Sequence, residues 1–160
     1  MTFDRLAASI GDLFSNPIIM SALTGWLLSQ FIKGIITLLN TRTRTVRDFL
    51  EAILWRTGGM PSSHTALVSS MTAAVAFAEG FTSSLFAVSL FIALVVMRDA
   101  VGVRRSSGQQ ARALNLLGKQ TAEKQGVEFE PVKEIRGHHP LEVIVGAIMG
   151  IFIAAAYTWL

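Results

Sequence analysis

Apolar stretches alternate with polar segments along the 160 residues of this chain. The apolar stretches cover residues 17–39, 61–79, 85–97 and 141–160. A transmembrane helix needs about 20 residues, so the second stretch is just long enough when counted from Pro61. Open strands cannot satisfy their backbone hydrogen bonds in lipid, so each stretch is expected to be helical. The pattern predicts an all-α polytopic membrane protein with about four spans, forming a single domain over residues 1–160.

The polar segments contain further helical patterns. Residues 1–16 predict a short amphipathic helix at the interface, and they lack the cleavage pattern of a signal peptide. Residues 49–55 predict a second amphipathic piece that lies on the interface or enters it. Residues 109–124 predict an exposed helix, and residues 126–131 a loop.

Composition supports a membrane protein and narrows its chemistry. The mean hydropathy is +0.50, with 51% hydrophobic and 16% charged residues. The chain has no cysteine, which excludes disulfides, thiolate catalysis and cysteine-based zinc sites.

The basic residues are concentrated on one side of the predicted membrane. Four spans place the 40–60 and 98–139 segments on the same side, and these segments hold 12 of the 14 lysines and arginines. The positive-inside rule then predicts a multi-pass cell-membrane protein with this face in the cytoplasm. Arginines that hold a phosphate would weaken that inference, since they would not be free topology signals.

Residues 58–64, Gly-Gly-Met-Pro-Ser-Ser-His, have the pattern of an anion site. Glycines allow a close backbone approach, and Pro61 suits the first position of a helix. Ser62, Ser63 and His64 would then lie in the first turn, where unpaired N–H groups and the helix dipole favour an anion. The alternative is a polar helix cap at the membrane surface.

All three histidines belong to the same predicted face. Pro140 predicts the start of the last helix, with His138 just ahead of it and Glu142 in its first turn. Glu142 has two interpretations, a capping carboxylate or a carboxylate that orients the His138 ring and stabilises its cation.

A lysine and a pair of glycines inside the predicted spans each predict a structural feature. Lys33 is a charge within a span, so it either faces a cavity or partner, or snorkels to the surface. Gly146 and Gly150 lie four residues apart in the last span, which predicts close helix packing.

Three motifs carry a resemblance to a known family. Pro61-Ser62-Ser63-His64 resembles the Pro-Ser-Gly-His motif of the type-2 phosphatidic acid phosphatases, relatives of the vanadium-dependent haloperoxidases. The chain is most similar to a small divergent branch, whose motifs match residues 58–64, Asp99–Arg105 and Gly137–Val143. The likeness runs from about residue 30 to residue 150.

The resemblance implies a metal-independent phosphatase without a cofactor. His138 would attack phosphorus and form a phosphohistidine, His64 would protonate the leaving oxygen, and Glu142 would orient His138. Groups expected to hold the phosphate belong to Lys33, Gly59, Ser62, Ser63, Arg104, Arg105 and Lys133.

The chain departs from the family pattern in several places. Ser63 replaces a glycine and Glu142 an aspartate, and the family's lysine–arginine-proline signature is absent, because position 40 is Asn40. Arg104 and Arg105 are our candidates for the missing charges. The family core usually has six helices, so a homodimer or re-entrant segments would complete a core of four.

Two functions of different classes follow. The first is a phosphatase acting on a phospholipid or polyprenyl (pyro)phosphate, with no nucleic-acid partner. The alternative is a catalytically weak membrane protein that binds anionic lipid or takes part in assembly. A metal site of His64, His138 and Glu142 is disfavoured, since the basic surroundings would repel a cation.

Overall fold

The computed structural model describes residues 11–40, 59–134 and 137–159. These residues contain helices and no strand, which confirms the predicted all-α fold. The helices are α1 (Pro17–Asn40), α2 (Ser63–Glu79), α3 (Ser84–Arg98), α4 (Arg104–Gln125) and α5 (Pro140–Trp159), and a π-helical turn (Asp99–Val103) joins α3 to α4.

The amphipathic predictions have mixed outcomes. The exposed helix predicted over residues 109–124 forms part of α4, and residues 126–131 are not helical, as predicted. Residues 11–15 are helical and exposed, whereas residues 1–10 of the predicted interfacial helix lie outside the described residues. The amphipathic piece predicted at 49–55 also lies outside them.

Three of the described helices are long and apolar enough to span a membrane. These candidate spans lie in Pro17–Leu39, Ser84–Gln125 and Pro140–Trp159. The remaining predicted span, α2, has 17 residues, at the lower limit for crossing. The helix over Ser84–Gln125 has 42 residues, so it is about 63 Å long and exceeds the hydrocarbon core. Its α4 part, which has no buried residue, therefore extends beyond the bilayer.

Helix α2 lies at the centre of the bundle and packs against α1, α3 and α5. Its buried residues are mostly alanine, serine and threonine. The Ser70 hydroxyl donates to the Ala66 carbonyl oxygen (2.8 Å), and the Thr72 hydroxyl to the Val68 carbonyl oxygen (2.8 Å). Because these hydroxyls are satisfied within their own helix, a polar sequence can occupy the middle of the bundle.

The contact between α2 and α5 depends on two glycines of α5. A Cβ atom at Gly146 would lie 2.6 Å from the Ser62 carbonyl oxygen, and one at Gly150 would lie 2.6 Å from the Ala66 carbonyl oxygen. No side chain fits at those distances, so the predicted close packing at Gly146 and Gly150 is confirmed.

Helices α2 and α5 run parallel to each other. At their starts, the Ser62 N–H donates to the Glu142 carbonyl oxygen (3.0 Å). At their ends, the rings of Phe77 and Trp159 lie 5.6 Å apart. The N-termini of both helices therefore lie side by side at one end of the bundle.

Helix α1 runs antiparallel to this pair. Lys33, in its second half, contacts Ser63 at the start of α2, and Thr24, in its first half, bonds with Tyr157 near the end of α5. Helix α3 follows α2 after a short turn and also returns to the first end. Helices α1 and α3 thus end at the same end of the bundle, as the predicted topology requires.

One predicted helix start is wrong. Pro61 does not begin α2, because Ser62 adopts an extended backbone (φ −70°, ψ 114°) and the helix begins at Ser63. The peptide bond between Met60 and Pro61 is cis. At the last helix the same reasoning is confirmed, since Pro140 is the first residue of α5. The predicted homodimer stays a prediction.

Candidate functional site

The end of the bundle where α2 and α5 begin holds a buried histidine with two fixed contacts. His138 is 5% exposed, and its backbone N–H donates to the Ala100 carbonyl oxygen in the π turn (3.1 Å). Its ring Nδ1 lies 2.6 Å from Oε2 of Glu142. The backbone bond fixes the place of the residue and the carboxylate fixes the orientation of the ring.

Glu142 has both of the contacts that the sequence left as alternatives. The same Oε2 that faces the His138 ring also accepts a hydrogen bond from the His139 N–H (3.3 Å). A carboxylate accepts hydrogen bonds, so Nδ1 is the donor in this contact and Nε2 is the ring nitrogen that faces away from Glu142. The capping contact therefore holds the carboxylate in place for the ring contact.

Two helix N-termini meet beside this histidine. The Ser62 N–H donates to the Glu142 carbonyl oxygen, so the first turns of α2 and α5 are in direct contact. Ser62 is fully buried, and its hydroxyl accepts a hydrogen bond from the Thr65 hydroxyl (3.0 Å). The positive dipole ends of both helices favour an anion here. In α5, however, Pro140 has no N–H, and the N–H groups of Glu142 and Val143 donate to the His139 carbonyl oxygen.

Lys33 brings a buried positive charge to the same place. It is 4% exposed, and its Nζ donates to the Ser63 hydroxyl at 3.4 Å. Its aliphatic stem lies beside Gly59, whose backbone has φ +89°, a conformation that favours glycine. The structure thus shows the cavity-facing alternative for Lys33 and not a side chain that reaches the surface. The Glu142 carboxylate is close enough to act on this charge, and a bound anion would further offset the cost of burying the ammonium.

His64 lies one residue into α2, outside the three candidate spans, and its side chain is exposed. Its pKa is lowered from the ordinary value, first because surrounding protein displaces part of its water. The positive charges of Arg104 and Lys33 lower the pKa further, and Asp99 opposes them. These electrostatic effects show that His64 lies within the same cluster of charges.

The two predicted arginines differ in their surroundings. Arg104 Nε lies 2.8 Å from Oδ2 of Asp99, and its charge acts on His64. The Arg105 side chain is exposed, and its backbone packs against Gly137, where a Cβ atom would lie 2.5 Å from the Arg105 N. Arg104 therefore belongs to the cluster through its side chain and Arg105 through its backbone.

Lys133, the remaining predicted phosphate ligand, lies in an exposed segment that folds back along α4. The Asn115 side chain fixes this segment. It donates to the Val132 carbonyl oxygen and accepts from the Val132 N–H, both at 2.8 Å. No contact seen among the described residues connects Lys133 with His138. In the same ranges, no three histidine, aspartate or glutamate side chains are grouped as metal ligands.

Comparison with known proteins agrees with the resemblance in the motifs. The model of a family described as the divergent PAP2 family matches residues 14–153. The chain belongs to the divergent PAP2 family. It is 36% identical over 155 residues to YuiD of Bacillus subtilis (strain 168), whose name describes it as an uncharacterized membrane protein. The alignment covers 89% of this chain and 94% of that protein, and no solved structure matches.

The divergent PAP2 match covers all three motifs and most of the bundle. Two contacts of the candidate site were not predicted from the sequence. The Asp99 carboxylate had a signal, because it opens the second motif, but its contact with Arg104 depends on the π turn. The contact between the Ala100 carbonyl oxygen and His138 had no signal in the sequence, because any residue type provides a backbone acceptor.

Proposed function

We propose that this protein is a membrane-embedded phosphatase that hydrolyses a lipid or polyprenyl (pyro)phosphate through a phosphohistidine on His138. The observation that carries the proposal is the 2.6 Å contact between His138 Nδ1 and Glu142. That contact occurs beside two helix N-termini and the buried Lys33. A nucleophile held by an orienting carboxylate, next to groups that favour an anion, suits phosphoryl transfer.

The first chemical step is attack on phosphorus. The Nε2 lone pair of His138 forms a P–N bond while the bond from phosphorus to the leaving oxygen breaks. That oxygen belongs to the lipid alcohol of a phosphomonoester or to the lipid phosphate of a pyrophosphate. His64, in its imidazolium form, donates a proton to the departing oxygen. Glu142 stabilises the positive charge that develops on the His138 ring.

The second step returns the enzyme to its starting state. Neutral His64 takes a proton from a water molecule, whose oxygen attacks the phosphorus of the phosphohistidine. The P–N bond breaks, its electron pair returns to Nε2 of His138, and inorganic phosphate leaves. Every proton donated in the first step is recovered in the second.

The phosphate oxygens would be held by groups that converge on this end of the bundle. Lys33 supplies a buried ammonium, and the first turn of α2 supplies backbone N–H groups. Arg104 supplies a guanidinium near His64. The position of Lys33 within a candidate span favours a substrate that is itself in the membrane. The basic residues of the adjoining segments favour a cytoplasmic location for this end.

The test is phosphate release by protein purified in detergent, with a phosphatidic acid and a polyprenyl pyrophosphate as substrates. Turnover should persist in excess chelator, and His138→Ala should abolish it. If the wild-type protein releases no phosphate from either substrate, or if His138→Ala is as active as wild type, the proposal fails.

A second candidate function is binding of anionic lipid without turnover. The observation that favours it is the Asp99–Arg104 ion pair, because part of the guanidinium is already occupied. A binder would take up a fluorescent short-chain phosphatidic acid and never release phosphate from it. Its affinity would be the same in wild type and in His138→Ala.

A further inference from the structure

Asp99 and Arg104 are joined twice across the π turn. The Arg104 backbone N–H donates to the Asp99 carbonyl oxygen, which is the hydrogen bond of a π-helical turn. The Arg104 Nε also donates to the Asp99 carboxylate at 2.8 Å. The π turn, Asp99–Val103, therefore determines where both the backbone and the guanidinium of Arg104 lie.

The side-chain contact depends on the π turn. In a regular α-helix, residues five apart point about 140° away from each other, so their side chains do not meet. The π turn inserts one residue into the repeat and brings Asp99 and Arg104 onto the same side. π turns within α-helices are frequent at functional sites. Here the turn also supplies Ala100, whose carbonyl oxygen holds His138.

We propose that Asp99 is a positioning residue, which acts with the π turn to fix the Arg104 guanidinium beside His64 as a phosphate ligand. The inference rests on the proposed function, since it takes a phosphoryl group as the ligand of that site. The motif comparison gave Asp99 no role, and Asp99 is not among the predicted phosphate ligands. It also gives the π turn a role at both the nucleophile and the phosphate.

The bonding of Arg104 supports this role. Asp99 occupies its Nε, and among the described residues its two terminal amino groups donate to no protein acceptor. Those two groups are the part of a guanidinium that forms a paired contact with phosphate oxygens. Asp99 therefore binds Nε of Arg104 and leaves the two terminal amino groups for a ligand.

The negative charge of Asp99 also has an effect that opposes anion binding. A carboxylate beside Arg104 neutralises part of its charge, which by itself would weaken binding of an anion. The two side chains are 36% and 37% exposed, so solvent screens the interaction and limits this loss. Fixing a flexible arginine in one orientation avoids an entropic cost on binding, which favours positioning. The two effects predict opposite results when Asp99 loses its charge.

The experiment measures direct binding of orthovanadate, a phosphate mimic, to the full-length protein in detergent. Asp99→Asn should weaken binding about fivefold, and Asp99→Glu should recover most of the affinity. Arg104→Ala should weaken binding about tenfold, and adding Asp99→Asn to it should cost nothing further. Glu134→Gln is the matched control, because Glu134 pairs with Arg112 farther along α4 and should leave binding unchanged.

Several results would overturn the inference. Tighter vanadate binding in Asp99→Asn would show that neutralisation dominates. An equal loss in the wild-type and Arg104→Ala backgrounds would show that Asp99 acts by another route. Absent vanadate binding in an active wild-type protein would remove Arg104 as ligand and leave the phosphatase proposal standing. If Asp99→Asn weakens vanadate binding only when Arg104 is present, and no substrate is turned over, the inference stands and the proposed activity is refuted.

Discussion

Two arginine–carboxylate pairs, whose arginines both lie on α4, have different surroundings. Arg104 pairs with Asp99 at 2.8 Å at the end of the bundle, where its charge acts on His64. Arg112 pairs with Glu134 at 3.3 Å, and its side chain is 77% exposed. The chemistry of the two pairs is the same. Only the first lies at the end of the bundle that holds the buried His138, which is the proposed nucleophile.

The regions around the two pairs differ in how their polar groups are satisfied. Along α4, Asn115 forms reciprocal hydrogen bonds with Val132, and solvent reaches most of the charges. At the bundle end, Lys33 and Ser62 are buried, and two helix N-termini point to the same place. A region that satisfies its own polar groups needs no ligand, whereas a bound anion would offset the cost of a buried cation.

The largest expected effect separates two adjacent histidines. His138→Ala should reduce phosphate release by about 10⁴-fold or more, because it removes the nucleophile. His139→Ala is the matched control and should keep most of the rate, since the His139 side chain is exposed and only its backbone contacts Glu142. Steady-state rates with a lipid phosphate measure both. Equal losses would mean that the segment, and not the His138 ring, carries the activity.

The next effect tests His64 as a proton donor. His64→Ala should slow hydrolysis of an alkyl phosphate by about 10²- to 10³-fold, because an alkoxide needs a proton to leave. The loss should be only a few-fold with a nitrophenyl phosphate, whose leaving group departs unprotonated. Rates for both substrates on one protein preparation give the comparison. A similar loss with both would assign His64 to phosphate binding.

A smaller effect distinguishes two glutamates. Glu142→Gln should lower the turnover number by about 10²-fold, because an amide keeps hydrogen bonding to the ring but does not stabilise its positive charge. Glu134→Gln, the same change in the exposed pair, should leave the rate unchanged. Thermal melting should show that both variants are folded. Full activity of Glu142→Gln would leave helix capping as the only role of that carboxylate.

The smallest effect compares two lysines that the sequence treated alike. Lys33→Met should weaken orthovanadate binding about tenfold, since it removes a buried charge while keeping the apolar stem. Lys133→Met should change it by less than about twofold, because Lys133 is exposed in the segment after α4. Equal losses would place Lys133 at the phosphate and contradict the separation of the two regions.

Much of the fold was predictable from the sequence, because bilayer thickness sets the length of an apolar helix. α1, α3 and α5 follow the apolar stretches closely, and Pro140 begins α5 as predicted. The start of α2 was misplaced at Pro61, because the extended backbone of Ser62 was not visible in the sequence. The order of the apolar stretches was enough to predict that α1 and α3 end at the same end of the bundle.

The details of the site were less predictable, because they depend on contacts between helices. The two alternatives for Lys33 could be separated only once α1 packed against α2. The different roles of Arg104 and Arg105 follow from a π turn whose residues, Asp99–Val103, continue the helical pattern without a break. The joint contact of Glu142 with His138 and His139 likewise needed the geometry of the helix start.

The most direct test of the central claim is the search for a phosphate group on His138 during turnover. A lipid phosphate labelled with ³²P is mixed with the protein, the reaction is quenched in base, and peptides are analysed by mass spectrometry. We expect an acid-labile label on the peptide that contains His138, and none in the His138→Ala protein. A wild-type protein that releases phosphate while the label appears on another residue would contradict it.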